Sequence, residues 1–67
     1  MKIDSHKVKV ILAEKMITMS QLAVMSGISR QTLSAIISRG SCSLVSAGKI
    51  AHSLNISVDT IAVKKEE

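Results

Sequence analysis

The chain has 67 residues and a net charge of +4, and it contains one Cys, no Pro and no aromatic residue. A chain of this length forms a single domain with a small core, and one Cys without Cys/His pairs excludes an internal disulfide and a zinc site. Because neither a secretion leader nor an apolar run of about 20 residues is present, the sequence predicts a cytoplasmic protein with no membrane span.

Short apolar patterns separated by Ser- and Gly-containing turns predict an all-α domain of five helices, and strands are not expected. Each predicted helix follows a residue whose side chain can cap it. In chain order the helices, with their caps in parentheses, are a first one ending near Lys15 (Asp4 or Ser5), a second from Met19 to about Ser26 (Thr18), a third that Gly40 closes (Ser29), a fourth (Ser43), and a short fifth over Val58 to Val63 (Ser57).

The residues expected in the core recur at helical spacing. They are Val8, Ile11, Leu12, Leu22, Ala23, Leu33, Ile36, Ile37, Leu44, Ala47, Ile50, Ala51 and Leu54. Met16, Met19 and Met25 also recur at near-helical spacing, which favours core packing over a metal or cofactor site. The pattern predicts one domain over residues 1–67, with its core at about 5–63 and a charged tail at 64–67.

The segment from Met19 to Ile36 places two helices around a short turn. A turn of about three residues makes the helices cross steeply, which requires a small residue at the crossing and a residue that tolerates positive φ in the turn. Ala23 and Gly27 meet these two requirements. Any helical hairpin uses such residues, but here all the positions that a helix-turn-helix demands match together, namely Leu22, Ala23, Gly27, Ile28, Leu33 and Ile36.

The two helices of this segment lie in the run ITMSQLAVMSGISRQTLSAI, and the run SLVSAGKIAHSLNISVDTI follows it. Over roughly Val8 to Ile61 the chain resembles the phage repressor and Cro-like helix-turn-helix family, often called the XRE family. The resemblance implies a five-helix DNA-binding domain whose third helix enters the major groove. It also implies a homodimer on a two-fold symmetric operator. We expect no cofactor and no small-molecule ligand.

Several positions depart from the family pattern. The family commonly has Gln at the position of Met19, where the Gln contacts a phosphate and supports the third helix. It often has an Arg and a Glu where this chain has Leu12 and Ile37, and we expect an apolar contact in place of that ion pair. Such a replacement can be neutral or stabilising. Gly40 comes one residue later than the usual helix-ending glycine.

The apolar stripe of the third helix is expected to turn the opposite face outward. That face carries Gln31, Ser34, Ala35 and Ser38, with Arg30 at its flank. Gln31 can pair with adenine, Arg30 with guanine, and Ala35 with a thymine methyl group. Solvated helix faces usually carry Glu and Lys, whereas these small side chains permit close approach of another surface. We therefore predict base contacts from Arg30, Gln31, Ser34 and Ala35, although Arg30 at the flank can bind a phosphate instead.

Residues around that helix are predicted to contact the phosphate backbone. They are Thr18, Ser29, Ser38, Arg39 and Ser41, with Ser43 as a further candidate. Thr18 and Ser29 are needed as helix caps in any case. Arg39 is the clearest candidate, because a long cation just beyond a recognition helix has a natural phosphate partner.

The distribution of charge points to the same partner. No acidic residue lies from Lys15 through Val58, whereas Arg30, Arg39 and Lys49 lie within that stretch. An acid-free basic surface does not repel phosphates. Proteins that bind single strands rely on aromatic stacking, and this chain has no aromatic residue. Double-stranded DNA is therefore the expected partner.

Other chemistry finds little support in the sequence. Cys42 is expected to be a small loop residue partly tucked under the fourth helix, not a redox switch, because only Arg39 nearby would lower its pKa. His6 and His52 are separated and lack carboxylate partners, which predicts surface or boundary positions. No nucleophile, base and orienting acid cluster along the chain, so we do not expect an enzyme.

These patterns together predict a transcription regulator of bacterial, phage or mobile-element type, most simply a small repressor. It is expected to dimerise through C-terminal residues, with Ile61 or Val63 in the contact. With no sensor domain in the sequence, control would come from its concentration, from operator overlap or from a partner protein. The alternative is a protein-interaction module or antitoxin-like partner that uses the same fold to hold another protein.

Overall fold

The computed structural model describes residues 1–63, and their regular secondary structure consists of five α-helices, as predicted. The helices are α1 Ser5–Lys15, α2 Met19–Ser26, α3 Arg30–Arg39, α4 Leu44–Ser53 and α5 Val58–Ile61. Within the described part of the chain, β-structure is limited to two isolated bridges. The charged tail predicted at 64–67 lies outside the described residues.

The beginnings of all five helices, and the ends of α2 and α3, form where local sequence predicts them. The N-caps are Asp4, Thr18, Ser29, Ser43 and Ser57, and each side chain accepts a hydrogen bond from a backbone amide two or three residues further on. Gly27 ends α2 with a φ of 73° and Gly40 ends α3 with a φ of 70°, a left-handed conformation that glycine adopts without steric cost.

The core lies between the five helices and is built of aliphatic side chains. α2 packs against both α3 and α4, while α5 closes the core against α1 and α4. Its members are Ile3, Val8, Ile11, Leu12, Leu22, Ile28, Leu33, Ile36, Ile37, Ile50, Ala51, Leu54 and Ile61. Ala47 is also buried, and Ala23 is partly buried against this cluster, as predicted.

The N-terminal segment 1–4 contributes a feature that helical periodicity does not predict. It lies between the loop after α3 and the segment after α5, and its residues pair alternately with each side. The amide of Ile3 donates to the carbonyl oxygen of Gly40 at 2.9 Å, and the amide of Asp4 donates to that of Ile61 at 2.7 Å. This pairing buries Ile3, which comes before the predicted core.

Three apolar residues differ from their predicted positions. Leu44, predicted in the core, is 73% exposed. It is the first residue of α4, and the buried residues of that helix begin one turn later, at Ala47. Met16 is 88% exposed, since it occupies the left-handed position that ends α1 and leaves the helical periodicity. Met25 is exposed on α2, and only Met19 of the three methionines packs against the core.

The fifth helix is shorter than predicted. It ends at Ile61, and Ala62 has an extended backbone that pairs with Ile3. Ile61 is completely buried, whereas Val63 is 48% exposed. Of the two residues predicted for a dimer contact, only Val63 is therefore accessible, because the pairing with the N-terminal segment holds Ile61 in the core.

Candidate nucleic-acid interface

The region between α2 and α3 is a compact three-residue connection over 27–29. The Gly27 amide donates to the Ala23 carbonyl at 3.0 Å. The Ser26 hydroxyl accepts from the Ile28 amide at 3.3 Å and donates to the same Ala23 carbonyl at 3.4 Å. Because Ile28 is also buried, the turn is held by both hydrogen bonds and packing. The two helices therefore keep a defined relative position.

The face of α3 opposite the core is exposed. Its inward residues are completely or largely buried and are Leu33, Ile36 and Ile37. Its outward residues are all exposed and are those predicted for this face, namely Gln31, Ser34, Ala35 and Ser38. The face is uncharged and has only short side chains besides Gln31. It can therefore approach another surface closely while offering hydrogen-bond groups.

The N-terminal ends of α2 and α3 border this face. Thr18 and Gln21 form a reciprocal cap, in which the Thr18 hydroxyl accepts from the Gln21 amide at 3.1 Å and the Gln21 side chain accepts from the Thr18 amide at 2.8 Å. The Ser29 hydroxyl accepts from the Thr32 amide at 3.2 Å and donates to the Thr32 hydroxyl at 2.8 Å. Ser29 thus has no hydroxyl proton left to donate, whereas Thr18 still has one.

Thr32 was not among the predicted site residues. Its hydroxyl accepts the proton of Ser29 and therefore can donate its own proton outward. Thr32 is exposed on the first turn of α3. The sequence feature that indicates Thr32 is its position three residues after the Ser29 cap, which places the two hydroxyl groups side by side.

Arg30 does not extend freely from the flank of α3. Its Nη1 atom donates a hydrogen bond of 2.8 Å to the hydroxyl oxygen of Ser20 on α2. The contact joins residues ten positions apart, so neither helix alone predicts it. Ser20 is consequently a second residue of this surface that sequence reasoning missed.

The loop after α3 carries the remaining predicted residues. Arg39 is exposed in the last turn of α3. Ser41 is partly buried, and its backbone forms an isolated antiparallel β-bridge with that of Lys2. The Ser43 hydroxyl accepts from the Ser46 amide at 3.1 Å and caps α4. Arg39 is thus an accessible cation at the C-terminal end of α3, while the Ser43 hydroxyl is engaged in the cap of α4.

Cys42 is partly buried in the same loop, and its environment is that of a structural thiol. Burial raises the pKa of the Cys42 thiol above its ordinary value, and the charge of the N-terminal ammonium lowers that pKa only in part. The ammonium donates to the Cys42 carbonyl at 3.0 Å, and the Cys42 amide donates to the Met1 carbonyl at 2.9 Å. A raised pKa keeps the thiol protonated and unreactive at neutral pH.

The structure also clarifies the departures from the family pattern. Met19, at the position where Gln is common, turns partly into the core and offers no polar group. Leu12 and Ile37 are both buried members of the apolar cluster. The polar link between the start of α2 and α3 is instead made by Ser20 and Arg30.

Two short helices joined by a three-residue turn, with the polar face of the second exposed, define the helix-turn-helix class of DNA-binding domain. A family model described as helix-turn-helix matches residues 8–61. The chain therefore belongs to this family, the class of the phage repressor and Cro-like (XRE) domains that its sequence resembles. No curated protein and no solved structure matches the chain significantly.

The family assignment identifies the chain as a DNA-binding helix-turn-helix domain, and the members of this family are not typically enzymes. In residues 1–63, no group of three or more His, Cys, Asp or Glu side chains is arranged to hold a metal ion. None of the helices described is long and apolar enough to cross a membrane.

Proposed function

We propose that the protein is a sequence-specific regulator of transcription that inserts α3 into the major groove of duplex DNA. The observation that carries the proposal is the exposed, uncharged face of α3, which lies within a stretch of sequence, Lys15 through Val58, that has no acidic residue. A major groove admits one α-helix and presents hydrogen-bond groups that distinguish the base pairs. A face of small side chains with one amide is suited to this approach.

The proposed contacts divide into base and phosphate contacts. Gln31, Ser34 and Ala35 face the base edges, and Arg30 contacts the duplex from the flank of this face. Around this face the proposed phosphate contacts are Thr18, Ser29, Ser38, Arg39 and Ser41. Thr18 keeps a hydroxyl proton to donate and Arg39 supplies a cation, whereas Ser29 contributes by fixing the start of α3, because its hydroxyl and the Thr32 amide are already bonded to each other. Thr32 is added to this set because its hydroxyl proton is free.

The simplest regulatory role is repression by occupation of an operator. One recognition helix covers only a few base pairs, so specific binding commonly uses two copies on half-sites one helical turn apart. We propose a homodimer on a two-fold symmetric operator, with the exposed Val63 in the contact between copies. For a regulator of the bacterial, phage or mobile-element type, whose target DNA lies in the cytoplasm, the cytoplasm is the proposed place of action.

Selection of bound sequences from random duplex DNA tests the proposal. We expect a two-fold symmetric consensus, binding that weakens steeply as salt rises, and reduced transcription in vitro from a promoter that overlaps the consensus. A selection that enriches no sequence, with binding equally weak for every duplex, would contradict sequence-specific recognition.

A second candidate function is supported by a separate observation. Val24 on α2 is 84% exposed, and it lines a shallow apolar groove together with Ile17, Ser20, Gln21 and Met25. Exposed apolar surface of this kind marks protein contacts. A protein-interaction or antitoxin-like role predicts that a Val24→Gln variant, which removes the apolar side chain without adding a negative charge, loses a protein partner while its binding to duplex DNA is unchanged, so the two functions are distinguishable.

A further inference from the structure

The beginning of α2 presents one polar side chain to α3. Met19 turns partly into the core, and the side chain of Gln21 accepts from the Thr18 amide in the cap. Ser20, between them, is exposed and accepts the hydrogen bond from Arg30 Nη1 at 2.8 Å. The guanidinium of Arg30 is thereby held beside α2, at the edge of the α3 face and not in front of it.

A serine holds this guanidinium without neutralising it. A carboxylate at the same position would form an ion pair and compete with a phosphate for the positive charge. Neither α2 nor α3 contains an acidic residue, and none lies anywhere from Lys15 through Val58. Arg30 therefore keeps its charge while its direction is restricted.

The Arg30 guanidinium and the Ser20 hydroxyl both retain hydrogen-bond donors that their mutual contact does not use. A guanidinium has five N–H donors, of which Ser20 engages one. Ser20 accepts that bond through its oxygen, so its own hydroxyl proton remains available. The free donors of both residues lie close enough together to meet the oxygens of a single phosphate group.

We propose that Ser20 is a positioning residue that holds Arg30 against α2, so that the two side chains bind one backbone phosphate of the duplex and Arg30 contacts no base edge. The inference rests on the proposed function. Ordering the arginine side chain before binding lowers the entropy that is lost on binding. The pair thus contributes affinity for duplex DNA of any sequence and leaves base selection to Gln31 and its neighbours.

A double-mutant cycle tests this assignment, with fluorescein-labelled random-sequence duplex and the best selected duplex as probes. Arg30→Ala is expected to weaken binding to both probes about tenfold and to lower the slope of log K against log salt by about one. Ser20→Ala is expected to weaken binding to both about three- to tenfold. In the Arg30→Ala background, Ser20→Ala should have at most a small further effect, because its main partner is gone.

Control variants separate positioning from folding. Ser20→Thr keeps the hydroxyl and should bind within about twofold of the parent protein. Ser53→Ala removes a serine hydroxyl that donates to the Lys49 carbonyl of its own helix, and it should leave DNA affinity unchanged. Circular dichroism and thermal unfolding should show that Ser20→Ala folds as the parent does, since alanine favours an exposed helix position.

Three results would overturn the inference while leaving the proposed function intact. In the first, Ser20→Ala binds DNA as tightly as the parent protein although Arg30→Ala binds more weakly. In the second, the free-energy changes of the two substitutions add independently in the double mutant. In the third, Arg30→Ala loses base preference at a single position of the selected sequence. Failure of the parent protein to bind either duplex would instead overturn the proposed function, and this inference with it.

Discussion

The amide of Ile3 donates a hydrogen bond of 2.9 Å to the carbonyl of Gly40, the residue that ends α3. On the other side of the same segment, the Val63 amide donates to the Lys2 carbonyl at 3.0 Å. The N-terminal segment therefore connects the loop after the proposed recognition helix with the end of α5. Stability of the fold and the position of that loop are coupled through these few residues.

Replacing Ile3 by Ala is expected to destabilise the protein by about 2–5 kcal/mol, because a buried side chain is lost and a cavity is left. Ile3→Val should cost only about 0.5–1.5 kcal/mol. Urea unfolding measures both values. In Ile3→Ala, faster hydrogen exchange at the Cys42 amide would show that the loop after α3 is less firmly held. Unfolding free energies equal to that of the parent would contradict the placement of Ile3 in the core.

Gln31→Ala is expected to relax base preference at one position in each half-site, since a good bidentate contact contributes about 1–3 kcal/mol of discrimination. Gln31 is exposed, so thermal stability should be unchanged. Selection from random duplex DNA, repeated with the variant, measures the preference. An identical consensus with identical affinity would mean that α3 does not contact base edges, and would favour the protein-interaction alternative.

Arg39→Ala should weaken binding to all duplex sequences alike and lower the slope of log K against log salt by about one, because one phosphate contact is lost. Lys49→Ala serves as the matched control. It removes an exposed cation from α4, outside the proposed contacts, and should leave the slope nearly unchanged. Equal slopes for Arg39→Ala and the parent would remove Arg39 from the interface.

Dimerisation is tested by Val63→Asp, which should shift the protein towards monomer in sedimentation and weaken operator binding while the fold is retained. Ile61→Asp is not a usable dimer variant. Ile61 is completely buried, and an unpaired carboxylate there should cost more than about 4 kcal/mol and unfold the chain. One protein per operator at saturation, already in the parent, would count against the homodimer.

Cys42→Ser is expected to leave DNA affinity unchanged, with and without reducing agent. The raised pKa keeps the native thiol protonated, so iodoacetamide should modify it more slowly in the folded protein than in denaturant at the same pH. If oxidation changed the affinity of the parent but not of the serine variant, Cys42 would be a redox switch after all.

The beginnings of the helices and the glycine-terminated ends of α2 and α3 follow from neighbouring residues, and for that reason the sequence was sufficient to predict them. Thr18, Ser29 and Ser43 cap amides only a few residues away, and Gly27 and Gly40 adopt the left-handed conformation that the adjacent helix end requires. The exposed face of α3 was predictable for a similar reason, because helical periodicity alone separates it from the buried stripe.

Features that join distant parts of the chain required the tertiary structure. Periodicity placed Leu44 inside, but only the arrangement of the neighbouring helices shows that the core does not extend to the first residue of α4. The burial of Ile3 depends on two segments that follow α3 and α5, and the Ser20–Arg30 hydrogen bond depends on how α2 and α3 pack. Local patterns determine which segments become helices, whereas contacts between those segments decide which side chains remain accessible to a partner.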